Sequence, residues 1–116
     1  MDETLMGMEM GSTDEHALSA LEVVRTLWKG TQGMRLMGSA ALGLAYAACG
    51  RVDLYFQRRL SAWDLASGLL LVSEAGGKVV DRLGEPATLE STSVVASSPG
   101  LVNTFLDATV GLEWRK

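Results

Sequence analysis

The stretch Trp63-Asp64-Leu65-Ala66-Ser67-Gly68-Leu69-Leu70-Leu71-Val72-Ser73-Glu74-Ala75-Gly76-Gly77 decides how this chain is read. Leu65, Leu69 and Val72 recur at helical spacing, and Ala66, Leu70 and Leu71 broaden that stripe, which predicts a helix buried over most of its surface. Gly76-Gly77 is its stop signal. Asp64 stands at the front edge, where a carboxylate either caps the helix or answers a cation or ligand, because a buried unpaired charge is costly. Trp63 is expected to pack beneath the same region. Glu74 lies about 15 Å further along the helix axis, too far to share a cation with Asp64, and reads as a structural hydrogen-bonding group.

Upstream of this helix, Val52 to Arg58 alternates as a strand, with Val52, Leu54 and Phe56 on one face and Asp53, Tyr55 and Gln57 on the other. Asp53 is expected to stay exposed, and Arg58, Arg59 and Ser61 form the connection to the helix. Before it, Gly38-Ser39 opens a helix of small residues (Ala40, Ala41, Gly43, Ala45, Ala47, Ala48), which lets its backbone approach a neighbour closely; Gly50 ends it. Met34–Met37 reads as a short strand. Thr13-Asp14 caps an earlier helix carrying Ala17, Leu18, Leu21, Val24, Leu27 and Trp28, with Gly30 and Gly33 as stops. Residues 1–13 hold no firm element beyond a short strand around Leu5–Met10.

Downstream, Lys78–Asp81 and Ser93–Ser97 read as strands around a turn at Leu83–Pro86. Pro99 opens a last helix bearing Leu101, Val102, Phe105, Leu106 and Val110. Alternating helices and strands make this an α/β chain. Its 116 residues suit one domain, 1–116, with 1–13 as a poorly defined leading segment.

Composition narrows the function. With 47% hydrophobic and 21% charged residues the chain is globular in character. A net charge of -4 and a pI near 4.9 disfavour nucleic acid as a partner. Asp2, Glu3, Glu9, Asp14, Glu15 and Glu22 all precede the first basic residue, Arg25, and read as a solvated leading segment. Leu36 to Gly50 is shorter than the roughly 20 apolar residues a membrane span needs, and the N-terminus lacks the layout of a signal peptide. A cytoplasmic setting fits. Cys49, the one cysteine, is expected to be a buried filler. His16, Tyr46, Tyr55 and Trp28 read as helix, core or rim residues without chemistry of their own.

Three blocks in order resemble one family: Arg35-Leu36-Met37-Gly38-Ser39-Ala40-Ala41-Leu42, then Gly50-Arg51-Val52-Asp53-Leu54-Tyr55-Phe56, then Trp63-Asp64-Leu65-Ala66-Ser67-Gly68 through Glu74-Ala75-Gly76-Gly77. Together with Val94-Val95-Ala96-Ser97-Ser98-Pro99 they are similar to the C-terminal half of the inositol monophosphatase family. The resemblance spans roughly residues 34–110. It implies the C-terminal α/β portion of a layered α/β/α/β/α sugar-phosphatase fold, a mixed sheet with flanking helices. It also implies a Mg²⁺-dependent phosphomonoesterase acting on a small phosphorylated metabolite, inositol monophosphate or a fructose-1,6-bisphosphate-like sugar, through metal-activated water.

By the same resemblance Asp64 is the metal ligand and lies beside the leaving hydroxyl of the substrate. An oxygen ligand of that kind suits a hard cation, and a helix N-terminus suits its charge. Gly38-Ser39-Ala40 matches the substrate-touching segment, where free N–H groups at a helix start meet an anionic or hydroxylated ligand; the plain alternative is a strand-to-helix turn with Ser39 as N-cap. It is not a Walker loop, lacking that motif's glycine spacing and lysine. Gln57 stands where well-known members carry a glutamate that accepts from substrate hydroxyls. It keeps one acceptor oxygen and adds two donors, which widens the substrate to other sugar phosphates or a bisphosphate. Arg58 and Arg59 are either a solvated loop, the simpler reading, or a contact for a second phosphate.

The family's upstream glutamate-rich and Asp-Pro-x-Asp-Gly-Thr motifs are not in these residues, and no Asp-Gly pair occurs. No catalytic residue is therefore expected here beyond the ligand Asp64, and the chain is expected to be truncated and inactive alone. It would associate as a homodimer or with a missing N-terminal half. The rival reading is a non-catalytic fragment serving as a dimerisation or regulatory module, with apolar surface left on the Leu36–Ala48 and Leu65–Val72 segments.

Overall fold

The computed structural model describes residues 4–11 and 13–116. Its elements run β1 (Leu5–Met8), α1 (Asp14–Leu27), β2 (Gly33–Leu36), α2 (Ala40–Ala48), β3 (Leu54–Arg58), α3 (Ala62–Glu74), β4 (Lys78–Val80), β5 (Ser93–Ser97) and α4 (Pro99–Ala108), with 3₁₀ turns at Trp28–Gly30 and Glu113–Arg115. The strands form one five-stranded sheet in the order β2-β1-β3-β5-β4. β1 is parallel to both β2 and β3, while β5 is antiparallel to β3 and β4. The sheet is mixed and flanked by helices, as the resemblance implies.

Strand alternation sorts the side chains into two cores on opposite faces. Met6, Met8, Leu54, Phe56 and Val95 face α1, α4 and the C-terminal turn, packing on Val23, Leu27, Val102, Phe105 and Trp114. Phe56, Phe105 and Trp114 form an aromatic cluster, with Trp114 edge-on to Phe56 at 5.5 Å and to Phe105 at 5.9 Å, the geometry that ring quadrupoles favour. Tyr55, Val94 and Ala96 face α2 and α3, packing on Leu44, Leu65 and Val72. β3 is thus buried on both sides. Val52 belongs to the second core and not with Leu54 and Phe56, because the chain bends at Asp53 before the strand begins. Asp53 is exposed as expected, yet it is not idle: its Oδ2 accepts from Leu5 N–H at 2.7 Å and its own N–H donates to Leu5 C=O at 2.7 Å.

Close approach of α2 and α3 explains their glycines. A Cβ on Gly43 would collide with the Tyr55 ring, and one on Gly68 would come within 2.8 Å of Leu44 Cβ. Several expectations are corrected. α3 buries only Leu65, Gly68 and Val72, while Leu70 and Leu71 are 62% and 47% exposed. Trp63 is 89% exposed instead of packed under the cleft. Glu74 is exposed, with no side-chain hydrogen bond among the described residues. These side chains lie on the flank of α3 turned away from α2 and the sheet, so apolar character found nothing to bury against. Cys49 is exposed at the C-cap of α2, its Sγ 3.7 Å from Tyr46 C=O. Val110 lies beyond α4 and is exposed, and Gly33 opens β2 where it was read as a helix stop. The leading segment supplies β1, an interior strand between β2 and β3; positions 1–3 and 12 lie outside the described residues. Among the described residues no helix is long and apolar enough to cross a membrane.

Candidate functional site

β1, β2 and β3 run parallel, so their carboxyl ends open on one side of the sheet, where open α/β sheets gather ligands. The segments that leave these ends line a cleft of about 570 Å³. Glu9, Met10 and Gly11 follow β1, Leu36 to Ala40 follow β2, and Gln57, Arg59 and Asp64 follow β3. All five residues expected at a site, Gly38, Ser39, Ala40, Gln57 and Asp64, therefore meet in one cleft.

Each is held by its local structure. Gly38 has φ +77°, a left-handed turn that carries the chain from β2 into α2, and no atom lies within 4 Å of the Cβ it lacks, so conformation and not space demands glycine there. Ser39 is the N-cap of α2; its Oγ accepts from Leu42 N–H at 3.2 Å. Ser61 and Asp64 make a capping box at the start of α3. Asp64 Oδ2 accepts from Ser61 N–H at 3.3 Å and from Ser61 Oγ at 3.1 Å. The cap role and a ligand role are compatible, since Oδ1 makes no hydrogen bond among the described residues.

Gln57 is 8% exposed and its amide is committed on both sides. Nε2 donates to Arg59 C=O at 3.2 Å, and Oε1 accepts from the Tyr55 hydroxyl at 2.6 Å. A carbonyl can only accept, which fixes which end of the amide faces it. The expectation that Gln57 offers an acceptor to a ligand is corrected: its oxygen is occupied by Tyr55, and the group left over is an N–H. Burial, then the charges of Glu9 and Asp64, push the Tyr55 hydroxyl well above its ordinary range, so it stays protonated as the donor.

Glu9 was not singled out from the sequence, whereas Arg59 was read there, with Arg58, as a solvated loop or a contact for a second phosphate. Register places Met8 beside Phe56, so Glu9 continues β1 alongside Gln57, on the face of Tyr55. It is half-buried, not part of a solvated acidic segment, and its Oε2 is buried without a hydrogen bond among the described residues. Burial raises its carboxyl above the ordinary value, opposed by the Gly38, Ser39 and Met37 amides. The alternation Met6, Met8 against Gly7, Glu9 was the available signal. Arg59 has φ +69°, the one positive φ outside glycine among the described residues, a conformation that costs about 1–3 kcal/mol. The arginine pair is split: Arg58 turns to the opposite face, donating to Glu113 C=O at 3.3 Å and Trp114 C=O at 3.4 Å, while Arg59 lines the cleft.

Mg²⁺ takes near-octahedral oxygen coordination. Among the described residues no three His, Cys, Asp or Glu side chains gather into a metal-holding group, and Asp64 has one carboxylate oxygen to spare. Asp64 therefore offers one free carboxylate oxygen, and the described residues do not fit a complete Mg²⁺ site.

The model of the inositol monophosphatase family matches residues 3–111. The chain belongs to the inositol monophosphatase family. It is 44% identical over 93 residues to an inositol-1-monophosphatase of Mesorhizobium japonicum, an alignment covering 80% of this chain and 35% of that one. It is 38% identical over 94 residues to a fructose-1,6-bisphosphatase/inositol-1-monophosphatase of Thermotoga maritima, covering 81% and 36%. Its fold superposes on the extragenic suppressor protein suhB of Bartonella henselae with a TM-score of 0.85 at 29% identity, covering 95% of this chain and 43% of that one. The chain thus spans about a third of the length of these two curated relatives and 43% of the solved chain.

Proposed function

We propose that this chain is the substrate-facing portion of a Mg²⁺-dependent phosphomonoesterase acting on a small phosphorylated polyol or sugar. The observation that carries the reading is the meeting of Gly38, Ser39, Ala40, Gln57 and Asp64 in one cleft at the ends of the parallel strands. There the start of α2 offers N–H groups to an anionic or hydroxylated ligand, Ser39 adds a hydroxyl, and Asp64 offers a carboxylate oxygen to a cation. Since Asp64 alone does not make a Mg²⁺ site, the chain by itself turns over no substrate. The remaining ligands come from another segment or chain, docked as a hetero-association or within a homodimer.

The test pairs phosphate release with binding. Purified chain with millimolar Mg²⁺ and a panel of sugar phosphates is expected to release no phosphate yet to bind phosphorylated probes by calorimetry. Turnover that Asp64→Asn abolishes would overturn the inactivity; failure to bind any phosphorylated probe would overturn the function.

A second reading, a non-catalytic association module, is favoured by the uncovered apolar side chains of Leu36 (65% exposed), Leu42 (42%) and Leu70 (62%). Light scattering separates the two: a self-associating chain that ignores sugar phosphates supports the module.

A further inference from the structure

We infer that Glu9 is a positioning residue for the cleft: its half-buried carboxylate, just past the end of β1, tethers the turn between β2 and α2 by accepting from the Gly38 and Ser39 N–H groups. This role rests on the phosphomonoesterase reading, in which the turn touches the substrate, and it names what holds that turn in place.

Placement comes from β1. Gly7 and Glu9 share one face of the chain, the face of Tyr55. A Cβ added to Gly7 would stand 3.2 Å from Met37 Cγ and 3.2 Å from Tyr55 Cδ1. On this face β1 is therefore the floor between the segment that follows β2 and the Tyr55 ring. Glu9 lies two residues further on, where that floor reaches the cleft, and it lines the cleft with Gly38, Ser39 and Gln57. Met37 N–H donates to Met8 C=O at 3.1 Å, which brings the turn alongside Glu9.

Hydrogen-bond accounting pairs the carboxylate with the turn. Glu9 Oε2 is buried and has no hydrogen bond among the described residues, and the ion pair present there joins Lys116 to Glu113. A buried acceptor without a donor is destabilising. The neighbouring Tyr55 hydroxyl has committed its one proton to Gln57 Oε1, and Met37 N–H is committed to Met8. Gly38 and Ser39 N–H groups make no hydrogen bond among the described residues. Donors without acceptors thus lie beside an acceptor without donors. Burial raises the Glu9 carboxyl above its ordinary value, and the Gly38, Ser39 and Met37 amides oppose that rise, although none closes a bond of good geometry; such bonds commonly tighten only when a ligand is bound. The turn has no other tether on this side. Gly38 has φ +77° with no atom within 4 Å of its missing Cβ, so packing does not hold it. Ser39 Oγ secures the helix side alone, through Leu42 N–H.

Two variants of the 116-residue chain test the role. Glu9→Met keeps the length of the side chain without the carboxylate, and Glu9→Gln keeps an acceptor oxygen. In proton–nitrogen NMR spectra the Gly38 and Ser39 amide signals are expected to shift upfield and exchange about tenfold faster in Glu9→Met, and to return toward the parent in Glu9→Gln. Fructose 6-phosphate, titrated by calorimetry with millimolar Mg²⁺, is expected to bind Glu9→Met about tenfold more weakly than the parent, with Glu9→Gln between them. The urea midpoint at neutral pH should fall in neither variant, which separates positioning from a structural role. Unmoved Gly38 and Ser39 signals, unchanged affinity in Glu9→Met, or an affinity loss matched by a fall in urea midpoint overturns the role. A parent that binds no sugar phosphate overturns the phosphomonoesterase reading instead, and the amide signals then decide whether Glu9 holds the turn.

Discussion

The Tyr55 hydroxyl donates to Gln57 Oε1 at 2.6 Å, from two positions away on the same face of β3. The bond lies between the packed core under α2 and the cleft, so it couples core packing to the orientation of a cleft residue. Tyr55→Phe would leave Gln57 Oε1 buried without its donor, at a cost of about 1–3 kcal/mol. Urea denaturation should show that loss. A Tyr55→Phe protein as stable as the parent would mean that water replaces the hydroxyl.

Gly43 and Gly38 separate two reasons for a glycine. At Gly43 an added methyl meets the Tyr55 ring, with Cζ 2.6 Å away, so Gly43→Ala is expected to cost about 1–3 kcal/mol through overpacking. It should also disturb the near-ultraviolet dichroism of the aromatic core. At Gly38 the space is open but φ is +77°, so Gly38→Ala is expected to cost about 1 kcal/mol through backbone conformation. In that variant the near-ultraviolet signal should stay unchanged. Matching spectra for the two variants would undo the distinction.

How much of this was written in the sequence follows from what each signal is local to. Ser93–Ser97 and the helix opened by Pro99 fall where read, because strand alternation and the N1 proline are local. The small residues of α2 announced a close contact, and Tyr55 supplies it across Gly43. The burial of α3 was misjudged, since Leu70 and Leu71 record a preference for an apolar neighbour and not the presence of one. Glu9 escaped notice because its role depends on β1 pairing with β3 in parallel register, a contact between distant segments. Arg59 was named with Arg58, but what separates the two was not legible, because left-handed backbone at a residue other than glycine has no sequence marker.

Glu9 makes stability depend on pH with a definite sign. Its carboxyl is raised from the ordinary value of 4.5, chiefly by burial. Between that value and its raised native one the folded state binds more protons than the unfolded state, so the Glu9 contribution falls as pH rises through the window and levels off above it. Below the unfolded value the contribution is fully present. Glu9→Gln is therefore expected to be more stable than the parent at neutral pH, with the gap closing toward about pH 4. A series of urea midpoints across that range checks this, and a gap that widens on acidification would contradict it.

Asp64 can be divided into its structural and electrostatic parts. Its Oδ2 closes the capping box on Ser61, with Ser61 Oγ accepting in return from Asp64 N–H at 3.4 Å. Ser61→Ala removes the cap acceptor and should cost about 1 kcal/mol. Asp64→Asn keeps an acceptor oxygen at the same atom while removing the charge, so it should cost less than about 1 kcal/mol, the part owed to the helix dipole. The charge also bounds what Mg²⁺ can do for this chain. One spare carboxylate oxygen competes poorly with water for an ion that dehydrates reluctantly, so millimolar Mg²⁺ should leave the thermal midpoint of the parent where it was. Binding to the folded state alone would raise that midpoint by mass action. A rise in the parent that Asp64→Asn abolishes would reveal further ligands converging on Asp64 and overturn the account of a single donor.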